Sequence, residues 1–159
     1  MSLLEKEPVK RCKKALKDFD QSLDVVVLED SARTAKEAAK SLKCEVGAII
    51  KSLLFKTKTS FVLVLVPGDK KCSINKLKNI TNKQDITMAN PEEVKNQTGF
   101  TIGGVSPIAH IKENKILIDN SLKRFENLFA AAGHPNCIFK INFKDLIKIT
   151  NGSIEDIIE

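Results

Sequence analysis

Tryptophan and tyrosine are missing from this 159-residue chain. Any stacking on nucleobases would fall to Phe, His or Arg, which argues against a broad single-strand stacking platform. Long apolar runs are missing too. The longest, Phe61 to Val66, stops at Pro67, far below the roughly 20 residues that a membrane helix needs. The opening residues Met1-Ser2-Leu3-Leu4-Glu5-Lys6-Glu7-Pro8 contain neither the apolar stretch nor the cleavage site of a secretory signal, so a cytoplasmic location is expected. Close cysteine pairs are absent: Cys12, Cys44, Cys72 and Cys137 stand singly, without zinc or redox spacing, and reduced thiols are expected. Histidine is scarce, and His110, His134 and Cys137 form no metal signature.

What is present suits one compact unit. The length and the 42% hydrophobic content are enough for one continuous core, so a single domain over residues 1–159, with its core at about 24–150, is expected. Net charge is +6 with a pI near 9.1, and Arg11, Arg33 and Arg124 are the only arginines among 26 basic residues. That balance favours a polyanionic partner; a lysine-rich solubilising surface is the alternative.

Periodicity and punctuation order the elements. Val9, Cys12, Leu16 and Phe19 form one stripe of an amphipathic helix over Glu5 to Phe19. Asp24 to Leu28 reads as a strand. Thr34-Ala35-Lys36-Glu37 has the form of a capping box opening a helix to Leu42. Ile49 to Phe55 and Phe61 to Val66 are dense apolar strands around a polar turn and predict a central hairpin, with the second strand apolar on both faces and hence covered on both. Ser73 predicts a short capped helix, and Asn90-Pro91-Glu92-Glu93 a helix start, with Gly99 ending that helix. Ile116 to Asp119, Phe129 to Ala132 and Cys137 to Ile141 read as strands, before a last helix from Asn142 to Ile149.

Two features stand out chemically. Lys51 lies inside Ile49-Ile50-Lys51-Ser52-Leu53-Leu54-Phe55, where neither face reads as solvent. Such a lysine either snorkels at a sheet edge or is a partly desolvated ammonium in a cleft, able to pair with phosphate or ribose oxygens or to release a proton more readily. The loop Gly103-Gly104-Val105-Ser106-Pro107 is either a glycine turn between elements or a place where a ligand approaches backbone amides, with Pro107 stiffening the exit.

Several motifs in one order carry a resemblance. Lys51-Ser52-Leu53, Val64-Leu65-Val66-Pro67-Gly68-Asp69, Thr98-Gly99-Phe100 followed by the double-glycine loop, and Ala131-Ala132-Gly133 resemble the YbaK/prolyl-tRNA-synthetase-associated editing domain family from about Asp24 to Thr150. Ser31-Ala32-Arg33-Thr34 with Glu37-Ala38-Ala39 is similar to that family's first helix. The resemblance implies an α/β (α+β) fold: a strongly curved mixed β-sheet approaching a barrel, flanked by helices. It implies a trans-editing hydrolase that cleaves the ester of mischarged aminoacyl-tRNA, classically transfer RNA for proline carrying Cys or Ala, with no metal or cofactor. Prolyl-tRNA synthetase is the candidate protein partner.

Carried over by motif, the functional lysine falls on Lys51 and the Gly-x-x-x-Pro loop on Gly103 and Pro107, with Gly104 as a further amide donor. Asp119 resembles the acidic pocket residue, and Ser31, Gly133 and His134 are expected to bind substrate, His134 departing from the small residues otherwise expected after Ala-Ala-Gly. The neighbouring ribose hydroxyl can supply much of the attacking machinery. The enzyme then mainly positions the ester while water attacks, or, with a cysteinyl substrate, while the thiol cyclises. A Ser106–His110–Asp119 triad is disfavoured, since no Gly-x-Ser-x-Gly elbow surrounds Ser106. Contacts to the RNA backbone are expected from Lys56, Lys58, Lys70, Lys71, Lys112, Lys123 and Arg124. A non-catalytic binding module of the same fold, and hydrolysis of another small ester, are the competing functions.

Overall fold

The computed structural model describes residues 2–30 and 32–159, which form five α-helices and eight strands. The helices at Glu7–Phe19 (α1), Ala35–Leu42 (α2), Ile74–Thr81 (α3), Pro91–Thr98 (α4) and Phe143–Thr150 (α5) start and stop where the local chemistry says they should. In α1 the stripe Val9, Cys12 and Leu16 is fully buried, while Phe19 at its end is partly exposed. Thr34 Oγ1 accepts from the Glu37 N–H at 3.1 Å, and Lys43 in the left-handed region ends α2. The reciprocal bond from Glu37 is not formed among the described residues. At α4 the Asn90 box is complete, with both bonds at 2.8–2.9 Å, and Gly99 at φ 83° terminates the helix. Ser73 and Asn142 cap α3 and α5 by accepting from the Lys76 and Asp145 N–H groups, without the reciprocal bond among the described residues.

Strands Ile50–Lys56 (β2) and Phe61–Pro67 (β3) form the expected antiparallel hairpin, in register from Ile50 opposite Pro67 to Lys56 opposite Phe61. Around them Thr87–Met88 (β4), Lys115–Asp119 (β5) and Ser153–Glu155 (β8) complete a five-stranded mixed sheet in the order β4-β2-β3-β5-β8, with β5 parallel to both neighbours. Val25–Val27 (β1), Leu128–His134 (β6) and Cys137–Ile141 (β7) form a separate antiparallel sheet in the order β1-β7-β6. β4 and β8, two and three residues long, are too short to leave an alternation in the sequence.

β3 is covered on both faces, as its apolar pattern predicts. Val62, Val64 and Val66 pack with Phe55, Leu77, Leu117 and Ile157 on one side; Leu63 and Leu65 pack with Ile50, Leu54, Leu128 and Phe139 on the other. Each such side chain contributes roughly 1.5–3 kcal/mol by burial, so the hairpin is the rigid centre of the molecule.

The barrel does not close. A single bridge, Ile49 with Phe129, links the two sheets, and β1 and β8 remain outer strands. Closure needs an unbroken ladder. The outer edge of β2 is instead shared between β4, which pairs at Phe55 and Lys56, and β6, which packs against β2 but bridges the chain only at Ile49, just before β2. A register shift between Ala131 and His134 then diverts β6. No helix among the described residues is long and apolar enough to cross a membrane.

Candidate functional site

The interrupted edge of β2 opens a cavity of about 220 Å³. Its walls are residues 50–54 of β2, the approach to and first turns of α2, Met88, Ala89 and Val94, the loop at Ile102, Gly103 and Val105, and Ala131 with Ile138. Small alanines and aliphatic side chains make most of the lining, and no carboxylate lines it among the described residues.

Lys51 and Gly103, far apart in sequence, line this same cavity. Lys51 is half-buried, and its ammonium donates to the Lys70 carbonyl at 2.5 Å, in the turn that follows β3. Lys51 stands on the stretch of β2 whose outer edge carries no paired strand among the described residues. Its neighbours Leu53 and Phe55 belong to the second core cluster, with Ile50 and Leu54 in the first.

Gly103 adopts φ +95°, a conformation that favours glycine, in a turn closed by the Gly104 N–H donating to the Thr101 carbonyl at 3.0 Å. The Gly103 N–H has no partner among the described residues. Gly104 differs from expectation: its N–H is consumed by the turn and it does not line the cavity. Its role is close approach, since a Cβ there would stand 2.9 Å from the Gly133 carbonyl carbon and the His134 nitrogen. The Gly133 N–H donates to the Gly104 carbonyl at 3.0 Å, locking the loop onto β6. Gly133 itself, at φ +93°, faces the Pro8 backbone and not the cavity. Pro107 is buried behind the loop.

A second, polar cavity adjoins the first and shares Arg33, Ile102 and Gly103 with it. His134 lines it, with Nδ1 accepting from the Asn136 N–H at 3.0 Å, so the neutral ring carries its proton on Nε2. Burial, then the charges of Lys6 and Arg33, hold this imidazole below its ordinary value. Ser31 lies outside the described residues.

Asp119 is placed elsewhere. It is fully buried, and its carboxylate accepts from the Ser121 N–H at 2.9 Å, the Ser121 hydroxyl and the Ile157 N–H at 2.8 Å. It thus caps the turn Asn120–Arg124 and holds the C-terminal segment, and it does not line the cavity. No triad forms: His110 Nε2 meets the Ser106 carbonyl at 2.7 Å and its Nδ1 meets Asn114, away from the Ser106 hydroxyl, which accepts from Ile108.

The basic residues divide in two. Lys56 pairs with Glu93 at 2.8 Å, and Arg124 pairs with Asp69 at 2.9 Å while lying over the Phe125 ring. Lys58, Lys70, Lys71, Lys112 and Lys123 are exposed, with no ion pair among the described residues.

Sequence reasoning passed over Arg33, which borders both cavities, and Ser52, whose hydroxyl is the one buried side-chain polar atom without a partner among the described residues. The signal for Ser52 was its polar side chain on an otherwise apolar strand face.

Residues 29–149 match the sequence profile of the aminoacyl-tRNA editing domain. The chain belongs to that family. The editing domain is 33% identical over 129 residues to YwhH of Bacillus subtilis, an uncharacterised protein, covering 80% of this chain and 82% of that one. It is 36% identical over 119 residues to the proline–tRNA ligase of Thermosipho melanesiensis, covering 75% of this chain. The chain spans about a fifth of that ligase's length. Among solved structures, a candidate trans-editing enzyme for prolyl-tRNA synthetase superposes with a TM-score of 0.91 at 35% identity, covering 97% of this chain and 98% of that one.

Proposed function

We propose that this editing domain is a trans-editing hydrolase that cleaves the aminoacyl ester of mischarged tRNA, with tRNA for proline carrying Cys or Ala as its substrate. The observation that carries the reading is that Lys51 and the Gly103 turn meet in one small, mostly apolar cavity. At about 220 Å³ it lies below the roughly 300 Å³ at which drug-sized ligand pockets begin, which suits a small amino acid on a ribose. Likeness to a proline–tRNA ligase and to a candidate trans-editing enzyme for prolyl-tRNA synthetase supports the choice of tRNA and action in trans.

In this mechanism the Lys51 ammonium, anchored on the Lys70 carbonyl, holds the ribose–phosphate end by charge-assisted hydrogen bonds. The Gly103 N–H points its unused donor at the ester carbonyl and stabilises the oxyanion. Water, oriented by the neighbouring ribose hydroxyl, adds to the carbonyl carbon. The bond from that carbon to the ribose oxygen then breaks, the oxygen takes up a proton, and free amino acid and deacylated tRNA leave. With a cysteinyl ester the substrate's thiol can attack in place of water. The exposed Lys58, Lys70, Lys71, Lys112 and Lys123 supply sequence-independent phosphate contacts, and prolyl-tRNA synthetase is the candidate source of the mischarged substrate.

The test is a panel of aminoacyl-tRNAs incubated with the protein and with Lys51→Ala. Release of Cys or Ala from tRNA for proline, reduced about a hundredfold or more in the variant, supports the reading; that is the scale of losing one preorganised donor. Release from no member of a broad panel refutes it in favour of a binding module.

A further inference from the structure

The edge of β2 between its two partial neighbours is short of one strand residue. Leu54 turns its carbonyl outward to the Ala89 N–H at 3.0 Å, whereas Ile49 turns its carbonyl to Gly68 beside β3 at 2.7 Å. Backbone groups alternate sides along a strand, so Ser52, in step with Leu54, presents its N–H and C=O to the outer edge. There the β4 ladder has ended, with its last bond at Leu54, and the one bridge to β6 among the described residues is at Ile49. Ser52 also carries the one buried, unpartnered side-chain oxygen among the described residues, and it lines the cavity. No internal bond holds that hydroxyl in its rotamer, so it can turn to a partner that enters.

We propose that the aminoacyl group of the substrate completes this edge, its α-amino group donating to the Ser52 carbonyl and hydroxyl and its ester carbonyl accepting from the Ser52 N–H. The inference rests on the deacylase reading and deepens it by naming the residue that recognises an α-amino acyl group. Two adjacent groups of one antiparallel partner pair with a single residue in this way, and an amino acid ester offers the same donor and acceptor. Among the described residues the cavity holds the cations Arg33 and Lys51 and no carboxylate, so the acceptors open to an amine there are the neutral ones at the strand edge. Ser52 thus adds a second amide donor to that of Gly103 at the developing oxyanion.

The test separates binding from turnover. A stable amide analogue of the aminoacylated terminus, 3′-alanylamino-3′-deoxyadenosine, is titrated by calorimetry into the protein and into Ser52→Ala, beside the N-acetylated analogue. The expected result is about tenfold weaker binding for Ser52→Ala, the scale of one hydrogen bond to a charged group, and tenfold or greater discrimination against the N-acetyl form. Ser52→Thr, which keeps the hydroxyl, restores affinity. Equal binding of the free and acetylated amines, an unchanged constant in Ser52→Ala, or no binding of the free amine overturns the proposal. Binding with this pattern but without release from any aminoacyl-tRNA would refute the hydrolase reading alone.

Discussion

Ser52→Ala should make the protein more stable. In the rotamer of this structure its hydroxyl oxygen is buried with no partner among the described residues, and a buried polar group left unsatisfied costs about 1–3 kcal/mol. Removing the oxygen relieves that cost and forfeits only a few contacts of about 0.1–0.2 kcal/mol each. Alanine is the poorer strand former, on a scale spanning about 1 kcal/mol, which offsets part of the gain. The net expectation is about 1 kcal/mol, or a rise in Tm of about 2–4 °C for a chain of this size. With no Trp or Tyr in the chain, unfolding is followed by far-UV circular dichroism in urea, where the midpoint should rise at constant m. Ser106→Ala is the control: that hydroxyl is fully buried but accepts from Ile108, so its loss should destabilise. Destabilisation by 1 kcal/mol or more in Ser52→Ala would show that its hydroxyl is satisfied in solution and would refute the reasoning. Stability gained by replacing a group proposed to bind substrate is a common trade against function.

Three further outcomes are expected. Gly104→Ala places a methyl 2.9 Å from the backbone of Gly133 and His134, which cannot yield as a side chain would, so thermal melting should show a loss of at least about 2 kcal/mol together with lost deacylation. Deacylation efficiency below saturation should fall as salt rises from low to physiological strength, as counterion release is lost; an efficiency independent of salt removes the RNA-backbone role of the exposed lysines. Burial holds the His110 imidazole below its ordinary value of 6.5. The unfolded chain therefore takes up the proton first, and the stabilisation, complete above about pH 6.5, is lost as pH falls towards the folded-state value. Urea titrations at a series of pH values should show that slope in the protein and a shallower one in His110→Gln, where only His134, also held below its ordinary value, remains.

The sequence by itself determined the elements whose cause is local. The caps at Thr34, Ser73, Asn90 and Asn142, the buried stripe of α1, and the β2–β3 hairpin with its doubly covered strand all follow from side chains within a few residues of one another. Motif order also pointed to Lys51 and Gly103, which the fold brings to one cavity. Tertiary structure alone decided the rest, because it depends on partners distant in the chain. Closure failed since β4 and β6 divide one edge of β2. Asp119 became an internal cap because Ser121 and Ile157 surround it, and the Gly104 amide was consumed by a turn that composition cannot reveal. Ser52 gained its significance only when that divided edge left its backbone and hydroxyl facing a cavity: hydrogen-bond satisfaction is a property of the folded neighbourhood, not of the residue.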